Sequence, residues 1–394
     1  MTNIYIVDVL RTPVGKAPRG VFKNTLPDDL LAHTMRTLVS RNQSVDWEEI
    51  GDVVIGCAMP EGEQGMNVAR IASLLADLPQ SVPAMTINRF CSSGVQSIAT
   101  AAAAIRSGEM QLALAGGVES MSMVPLGGNK YTANPSIFDN EHIAIAYGMG
   151  ITAENVAKQW GISREQQDEF AAESHKKAVA AQVRGDFKAE ISPVEITVRQ
   201  ADLVNDTALV KKKLISEDEG PRADTSYDVI AKLRPVFAAR GSVTAGNSSQ
   251  TSDGAGIALL ASEEAVRKYN LTPMGRLLSY AVEGVPPAIM GIGPIKAIPV
   301  ALKRAGLTLD QLDWIELNEA FAAQALAVIK ELGLPREKVN PLGGAIALGH
   351  PLGATGAIRT ATLLHGLQRT KGRYGMVTMC IGTGMGAAAI FEAL

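Results

Sequence analysis

The chain has few of the residues that most often bind metals or form cross-links. Its 394 residues include only three cysteines, Cys57, Cys91 and Cys380, and five histidines. The thiols are far apart in sequence and show neither metal-ligand spacing nor a disulfide framework. We therefore expect no metal site, and we expect free thiols in a reducing compartment.

Long hydrophobic runs and a strong charge bias are also missing. Arg106 and Glu109 interrupt the richest apolar run before it reaches membrane-spanning length. The first residues lack the basic region and apolar core of a signal peptide. A net charge of −3 gives no support for nucleic-acid binding. These absences predict a cytoplasmic protein that binds neither membrane nor nucleic acid.

What the chain does contain is enough apolar sequence for two or three domains, with 46% hydrophobic and 20% charged residues. Short apolar runs alternate with stretches of helical spacing, which predicts an α/β fold. The predicted strands are Ile4–Val9, Asp52–Ile55, Val82–Ile87, Gln111–Ala115, Gly275–Val282, Trp314–Leu317, Gly375–Met379 and Ala387–Phe391. The predicted helices are Asp28–Val39, Gln64–Leu75, the alanine-rich run beyond Cys91 to Arg106, Pro294–Ala305, Glu319–Leu332 and Ala354–Leu367.

This order of strands and helices occurs twice, which indicates an internal duplication. We expect residues 1–118 and 251–274 to form the N-terminal half and residues 275–394 the C-terminal half. Residues 119–250, which carry the predicted helices Thr152–Gln159 and Arg164–Arg184, would form an inserted loop domain. In two related halves, the turn at Cys91 and the turn at His350 would meet near a pseudo-twofold axis.

Cys91 stands between a predicted buried strand and an alanine-rich helix. Unpaired N–H groups and the helix dipole favour negative charge at such a position. The sequence therefore predicts a lowered thiol pKa and a nucleophilic role, the alternative being an inert buried cysteine.

Three other segments place reactive groups at strand ends or tight turns. His350 lies within a segment of fourteen residues that contains five glycines, with few apolar neighbours to make it a core histidine. Cys380 ends a strand and is followed by Gly382, and Asn318 follows another apolar strand. A metal site is disfavoured because these residues are isolated, and a dinucleotide loop because no βαβ unit follows. A cysteine protease would need neither the duplication nor a second glycine-flanked cysteine.

Taken together, the segments around Cys91, across residues 340–356 and around Cys380 resemble the three motifs of the thiolase family. Asn-Glu-Ala-Phe at 318–321 fits as well, and the resemblance covers Ile4 to Leu394. It implies a thiolase fold of two duplicated α/β halves, with sheets flanked by helices and the loop domain inserted in the first half. It also implies a homo-oligomer, either a dimer or a tetramer.

The resemblance further implies a catalytic set. His350 would deprotonate Cys91, which would carry the acyl group, and Cys380 would exchange protons with the departing and entering groups. Asn318, through a bound water, and His350 would stabilise the enolate. The N–H groups of Cys91 and Gly382 would stabilise the tetrahedral intermediates.

By the same resemblance, coenzyme A is a co-substrate and no cofactor is tightly bound. The loop domain would bind its pantetheine arm, and Arg222 would lie near the nucleotide or be an ordinary solvated arginine. The residues expected to contact the substrate are Arg222, Leu233, Phe237, Ala245, Ser249, Met149 and Phe321.

Two departures bear on the substrate. Gly148 stands where biosynthetic acetoacetyl-CoA thiolases usually carry histidine, and residues 247–254 resemble degradative members. We therefore expect thiolytic cleavage of 3-ketoacyl-CoA in fatty-acid β-oxidation, with a multienzyme partner as an option. The alternatives are an acetoacetyl-CoA thiolase, a decarboxylating condensing enzyme of the same fold, or a non-catalytic acyl-CoA-binding relative. Thr383 also departs from the family, since many members have glycine there.

Overall fold

The computed structural model describes residues 3–130, 132–140, 148–202 and 204–394. The strands are β1 (Ile4–Arg11), β2 (Gly15–Lys16), β3 (Ile50–Gly56), β4 (Ala84–Ile87), β5 (Leu112–Ser120), β6 (Val194–Asp202), β7 (Thr207–Ile215), β8 (Ser252–Ser262), β9 (Gly275–Gly284), β10 (Trp314–Leu317), β11 (Tyr374–Ile381) and β12 (Met385–Ala393). The helices are α1 (Pro27–Arg41), α2 (Val68–Leu75), α3 (Ser93–Ser107), α4 (Met149–Trp160), α5 (Arg164–Arg184), α6 (Tyr227–Ile230), α7 (Glu263–Lys268), α8 (Gly293–Ala305), α9 (Ala322–Leu332), α10 (Ala345–Leu348) and α11 (Leu352–Thr370).

A large mixed sheet runs in the order β10-β11-β12-β9-β1-β8-β5-β3-β4. In the first half-sheet, β1 pairs antiparallel with β8, and β8 pairs antiparallel with β5. Strand β5 then pairs parallel with β3. From β9 outward, the strands β12, β11 and β10 repeat these directions. Only Tyr5–Arg276 and Ile6–Gly275 pair across the centre, between β1 and β9. The predicted α/β fold is confirmed, and its two half-sheets share the topology of four strands, to which the first half adds β4 at its edge and β2 beside β8.

Three hydrophobic clusters show how the helices cover these half-sheets. One cluster joins α1 and α2 to the first half-sheet, and another joins α8 and α9 to the second. The third surrounds α3 and α11, which contact strands of both halves. The strand pairs and helix faces follow from alternating small and branched apolar residues, which pack well on sheets.

The contact between α3 and α11 is so close that it requires glycine. A Cβ atom on Gly94 would lie 2.7 Å from the backbone nitrogen of Ala357, and one on Gly356 would lie 2.2 Å from that of Val95. Because both helices cross near their first turns, the segments that precede them are brought together. Cys91 precedes α3, and His350 precedes α11.

Residues 121–251 connect β5 to β8 and contain α4, α5, α6 and the hairpin of β6 and β7. This is the segment expected as the inserted loop domain, and its status as a separate domain stays a prediction. Among the described residues, no helix is both long enough and apolar enough to cross a membrane.

Two local expectations are wrong. The strand at 82–87 begins at Ala84 and is a half-exposed edge strand rather than a buried one, because only β3 pairs with it. Helix α9 begins at Ala322 rather than Glu319, because the preceding backbone pairs with the loop at 247–249.

Candidate active site

A tight turn, Phe90–Ser92, presents Cys91 at the start of α3. Phe90 has a φ of +44°, which is costly for an aromatic residue. Its N–H donates to the Asn88 side chain at 2.8 Å, and the Arg89 N–H donates to the Ser93 hydroxyl at 2.8 Å. These bonds hold the turn in its strained form, so the sulfur has a fixed position.

The Cys91 side chain is buried, and burial raises the pKa of its thiol to about 11. The N–H groups of Gly382 and of Cys91 itself act in the opposite direction, while the nearby Glu119 carboxylate adds to the rise. The expected lowering of the Cys91 pKa is therefore wrong. The backbone donors at this turn exist, but loss of solvent outweighs them.

His350 is buried between two polar partners. Its Nδ1 lies 2.6 Å from the Thr355 hydroxyl, and its Nε2 lies 3.2 Å from Nδ2 of Asn318. Burial, followed by the charge of Arg359, lowers the pKa of His350 to about 3. The ring is therefore neutral at physiological pH, with one nitrogen free to accept a proton.

Asn318 belongs to an extended segment that polar side chains hold in place. Its N–H donates to the Thr378 carbonyl at 2.9 Å, and its buried Oδ1 has no hydrogen-bond partner. The adjacent Glu319 is buried and accepts from Asn340 and Ser174, each at 2.7 Å. The side-chain oxygen of Asn318 is thus left to bind water or substrate.

Cys380 lies near the end of β11 and is fully buried. Burial and the neighbouring Cys91 both raise the pKa of its thiol. In the following turn Thr383 has a φ of +68°, which explains why glycine is common there in the family that the sequence resembles. This turn directs the N–H of Gly382 at the Cys91 sulfur, whose pKa it lowers.

The five expected catalytic residues form two contacting sets in adjoining segments, one of Cys91, Cys380 and Gly382 and one of His350 and Asn318. Gly382 contacts the Cys91 thiol, and Cys91 and Cys380 influence each other electrostatically. Leu352, two residues after His350, packs against Cys91. The site thus combines two buried thiols, a neutral imidazole, an amide and aimed backbone donors, which are the groups needed for acyl transfer.

Several residues expected to bind substrate line one side of this centre. Phe237 and Phe321 meet edge to face, with ring centroids 6.1 Å apart. Phe237 also covers Gly150, where any Cβ atom would lie 2.1 Å from its ring. The Ser249 N–H donates to the Ala320 carbonyl at 2.9 Å, which joins the loop domain to the strand end. Met149 packs next to Phe321 and lies close to Gly382.

Leu233 and Ala245 lie farther out on the same side. Leu233 packs on Gly246, the neighbour of Ala245, and its side chain is partly exposed, as is that of Phe237. These side chains form an apolar path from the surface towards the two cysteines. A path of this kind suits a long, flexible substrate arm.

Arg222 lines a cleft of about 540 Å³ that also contains Lys176 and Glu173. Its guanidinium is more than half exposed and lies 3.6 Å from Asp224. Its backbone N–H donates to Nδ1 of His175 at 3.2 Å. The cleft carries exposed positive charge, so a phosphate-bearing end of a substrate would fit there.

Sequence reasoning missed two residues that hold the site together. Glu119 is buried and accepts from the N–H groups of Ala58 at 2.8 Å and of Gly353 at 2.7 Å. It therefore ties the start of α11 to the loop beside Cys91. Thr355 was part of the glycine-rich segment, but only its 2.6 Å distance to His350 reveals its contact. The signal for Glu119 was weak, a single charge at the end of an apolar strand.

Among the described residues, no group of three or more histidine, cysteine, aspartate or glutamate side chains could hold a metal ion.

Comparison with known proteins identifies this arrangement. The family model of the thiolase N-terminal domain matches residues 4–264, and that of the thiolase C-terminal domain matches residues 271–393. The chain belongs to the thiolase family. The resemblance found in the sequence is confirmed, and this thiolase is accordingly an acyltransferase.

Individual relatives cover nearly the whole of this thiolase. It is 50% identical to the 3-ketoacyl-CoA thiolase of Bacillus subtilis, over 100% of both chains. It is 49% identical to the human peroxisomal 3-ketoacyl-CoA thiolase, over 99% of this chain and 91% of that one. The crystal structure of the Bacillus anthracis acetyl-CoA acetyltransferase superposes with a TM-score of 0.90 at 40% identity, covering 100% of this chain and 99% of that one.

Proposed function

We propose that this thiolase cleaves 3-ketoacyl-CoA with coenzyme A, yielding acetyl-CoA and an acyl-CoA shortened by two carbons. The observations that support this proposal are two neighbouring buried thiols and, in adjoining segments, a neutral histidine within hydrogen-bond distance of an amide. Relatives at about half identity over the full chain are named for this activity. A non-catalytic binding protein would need neither thiol, and it is therefore disfavoured.

In the first step, Nε2 of His350 takes the proton of the Cys91 thiol, and the sulfur adds to the 3-keto carbon. Both groups are neutral in the free protein because burial opposes charge on each. The transfer creates a thiolate and an imidazolium together, so each stabilises the other. The N–H groups of Cys91 and Gly382 lie where an oxyanion on the substrate would form.

In the second step, the bond between C2 and C3 breaks, and its electron pair forms the enolate of acetyl-CoA. The new Nε2–H of His350 can donate to the enolate oxygen. The unpartnered oxygen of Asn318 can hold a water that donates to the same oxygen. The Cys380 thiol then gives its proton to C2, which releases acetyl-CoA and leaves the acyl group on Cys91.

The third step regenerates the enzyme. The Cys380 thiolate takes the proton of an incoming coenzyme A thiol, and the new thiolate attacks the acyl-Cys91 thioester. The chain-shortened acyl-CoA leaves, and Cys91 recovers its proton from His350. Two thiols are needed because the two half-reactions place charge at different atoms.

We further propose that the pantetheine arm follows the apolar path past Leu233, Ala245, Ser249, Phe237, Met149 and Phe321. The partly exposed Leu233 and Phe237 support this route, because each is a large apolar residue that stays about 40% exposed. The cleft at Arg222 would take the nucleotide end, where exposed positive charge meets phosphate.

Chain length separates the first proposal from its alternative, acetoacetyl-CoA synthesis or cleavage. A Cβ atom on Gly148 would meet none of the described residues within 4 Å, so the described part of the site leaves room beside Met149 for a longer acyl chain. The test compares thiolysis of 3-ketohexadecanoyl-CoA and acetoacetyl-CoA at matched free coenzyme A. We expect a higher kcat/KM for the long chain, and activity confined to acetoacetyl-CoA would favour the alternative.

We also propose a homo-oligomer. Strand β4 is an edge whose second side no described strand covers, and Met85 and Met66 are exposed beside it. Such an edge can pair with the same edge of a second copy. Light scattering should show at least a dimer, weakened by Met85→Glu but not by Val183→Glu, which changes another exposed residue. A monomer at micromolar concentration would contradict this. The cytoplasmic location and the multienzyme partner stay predictions.

A further inference from the structure

Thr355 occupies a position that no catalytic role has yet explained. It lies in the first turn of α11, buried, with its hydroxyl 2.6 Å from Nδ1 of His350 and 2.9 Å from the carbonyl oxygen of Pro351. A hydroxyl has one proton to donate, so it can donate to only one of these two atoms.

The side chains of Thr355, His350 and Asn318 can be joined by hydrogen bonds in two alternative states. In one, Thr355 donates to Pro351 and accepts from Nδ1–H of His350, while Nε2 accepts from Asn318. In this state all three observed contacts are hydrogen bonds. In the other, Thr355 donates to Nδ1, Nε2–H donates to a reversed Asn318 amide, and the bond to Pro351 is lost.

Asn318 cannot select between these states because its amide can present either oxygen or nitrogen to the ring. Thr355 can select one state, because its hydroxyl proton already goes to the carbonyl oxygen of Pro351, four residues earlier. The hydroxyl oxygen is then left to accept from Nδ1–H of His350. The selected state leaves Nε2 as the ring nitrogen with a lone pair, which accepts from Asn318 in the free protein and must exchange that bond to take a proton. Only that tautomer can take a proton from Cys91.

We propose that Thr355 is a positioning residue that holds His350 in its Nδ1–H tautomer, so that Nε2 is the base. This inference rests on the proposed function, since it assigns how the histidine of that reaction is prepared. After proton transfer, the same contact keeps Nδ1–H engaged and directs the new Nε2–H at the enolate. Thr355 itself touches no substrate.

The test uses three variants of the full-length protein. Thr355→Val keeps the side-chain shape but removes the hydroxyl, and Thr355→Ser keeps the hydroxyl. Thr360→Val is the matched control, because Thr360 is buried in the same helix and donates to the Gly356 carbonyl at 2.8 Å without contacting a histidine.

We expect Thr355→Val to lower kcat for thiolysis about 10- to 100-fold with little change in KM, as when outer partners of functional histidines are removed. Thr355→Ser and Thr360→Val should stay within about threefold of the wild type. Equal losses in Thr355→Val and Thr360→Val would reduce Thr355 to a helix-stabilising residue and overturn the inference. An inactive wild type would instead reject the proposed function.

A second measurement does not depend on the Thr355 variants folding. Histidine-selective ¹⁵N labelling of the wild type distinguishes the two tautomers of a neutral imidazole, and His350 is assigned by comparison with His350→Asn. A protonated Nδ1 with a bare Nε2 is the expected result. A protonated Nε2 in the free enzyme would overturn the inference.

Discussion

The turn before α3 and the turn before α11 occupy equivalent places in the two halves, but they hold their reactive groups differently. Around Cys91 the polar contacts are backbone N–H groups on a strained turn. Around His350 they are side chains, Thr355 and Asn318. The duplicated scaffold thus brings the two turns close together through the contact of α3 with α11, while local substitutions give each its chemistry.

The two turns share one electrostatic property. Burial keeps Cys91 protonated, with a pKa raised to about 11, and keeps His350 unprotonated, with a pKa lowered to about 3. The free enzyme therefore holds a neutral pair and not a preformed ion pair. The ion pair forms only during reaction, when the nearby donors can stabilise each charge as it develops.

Of the changes that test this comparison, replacing the nucleophile Cys91 should have the largest effect on the rate of thiolysis. Cys91→Ser is expected to reduce thiolysis at least about 1,000-fold, because an alcohol forms an anion far less readily than a thiol. Retained binding of coenzyme A, measured by calorimetry, would show that the site is intact. Cys57→Ser is the control, since Cys57 is buried beside Glu119 and has no catalytic assignment. Unchanged turnover in Cys91→Ser would refute the covalent mechanism.

Removing the side-chain partner on the His350 side should have the next largest effect. Asn318→Ala is expected to lower kcat about 100- to 1,000-fold, because it removes the water that Asn318 would hold against the enolate. This is the usual loss when one donor to a developing oxyanion is removed. Steady-state thiolysis measures this, and Asn155→Ala controls for loss of a partly buried amide bonded only to a backbone carbonyl, that of Ala288. Equal kcat in the wild type and Asn318→Ala would remove the amide from the mechanism.

The neutral state of the pair can be tested through the pH dependence of Cys91 alkylation. A raised pKa means that the thiolate fraction is small and grows about tenfold per pH unit until the pKa near 11 is reached. The rate of iodoacetamide labelling should therefore rise steadily from pH 7 to pH 9, with Cys91→Ser as the background. A plateau near pH 7 would show a preformed thiolate and contradict the account.

Much of this site could be predicted from the sequence because its groups lie in three local motifs. The positions of Cys91, His350, Cys380 and Asn318 at strand ends or turns follow from hydrophobic periodicity and glycine spacing. The pKa direction of Cys91 could not be predicted, because it depends on how much solvent the folded chain removes.

Other features also depend on contacts that are distant in sequence. Strand β4 looks like a core strand by composition, and only the sheet order shows that it is an edge. Glu119 connects Ala58 to Gly353 across more than two hundred residues, which no local pattern encodes. By contrast, Arg164–Arg184 was predicted with its observed bounds, because its capping box and terminal glycine are local signals.

The central claim is that Cys91 carries the acyl group between the two half-reactions. The most direct test incubates the enzyme with 3-ketooctanoyl-CoA without added coenzyme A, quenches with acid and maps acylated peptides by mass spectrometry. The account predicts a hexanoyl group on the peptide containing Cys91, absent in Cys91→Ser. A hexanoyl group on the Cys380 peptide, or turnover without any acylated cysteine, would contradict it.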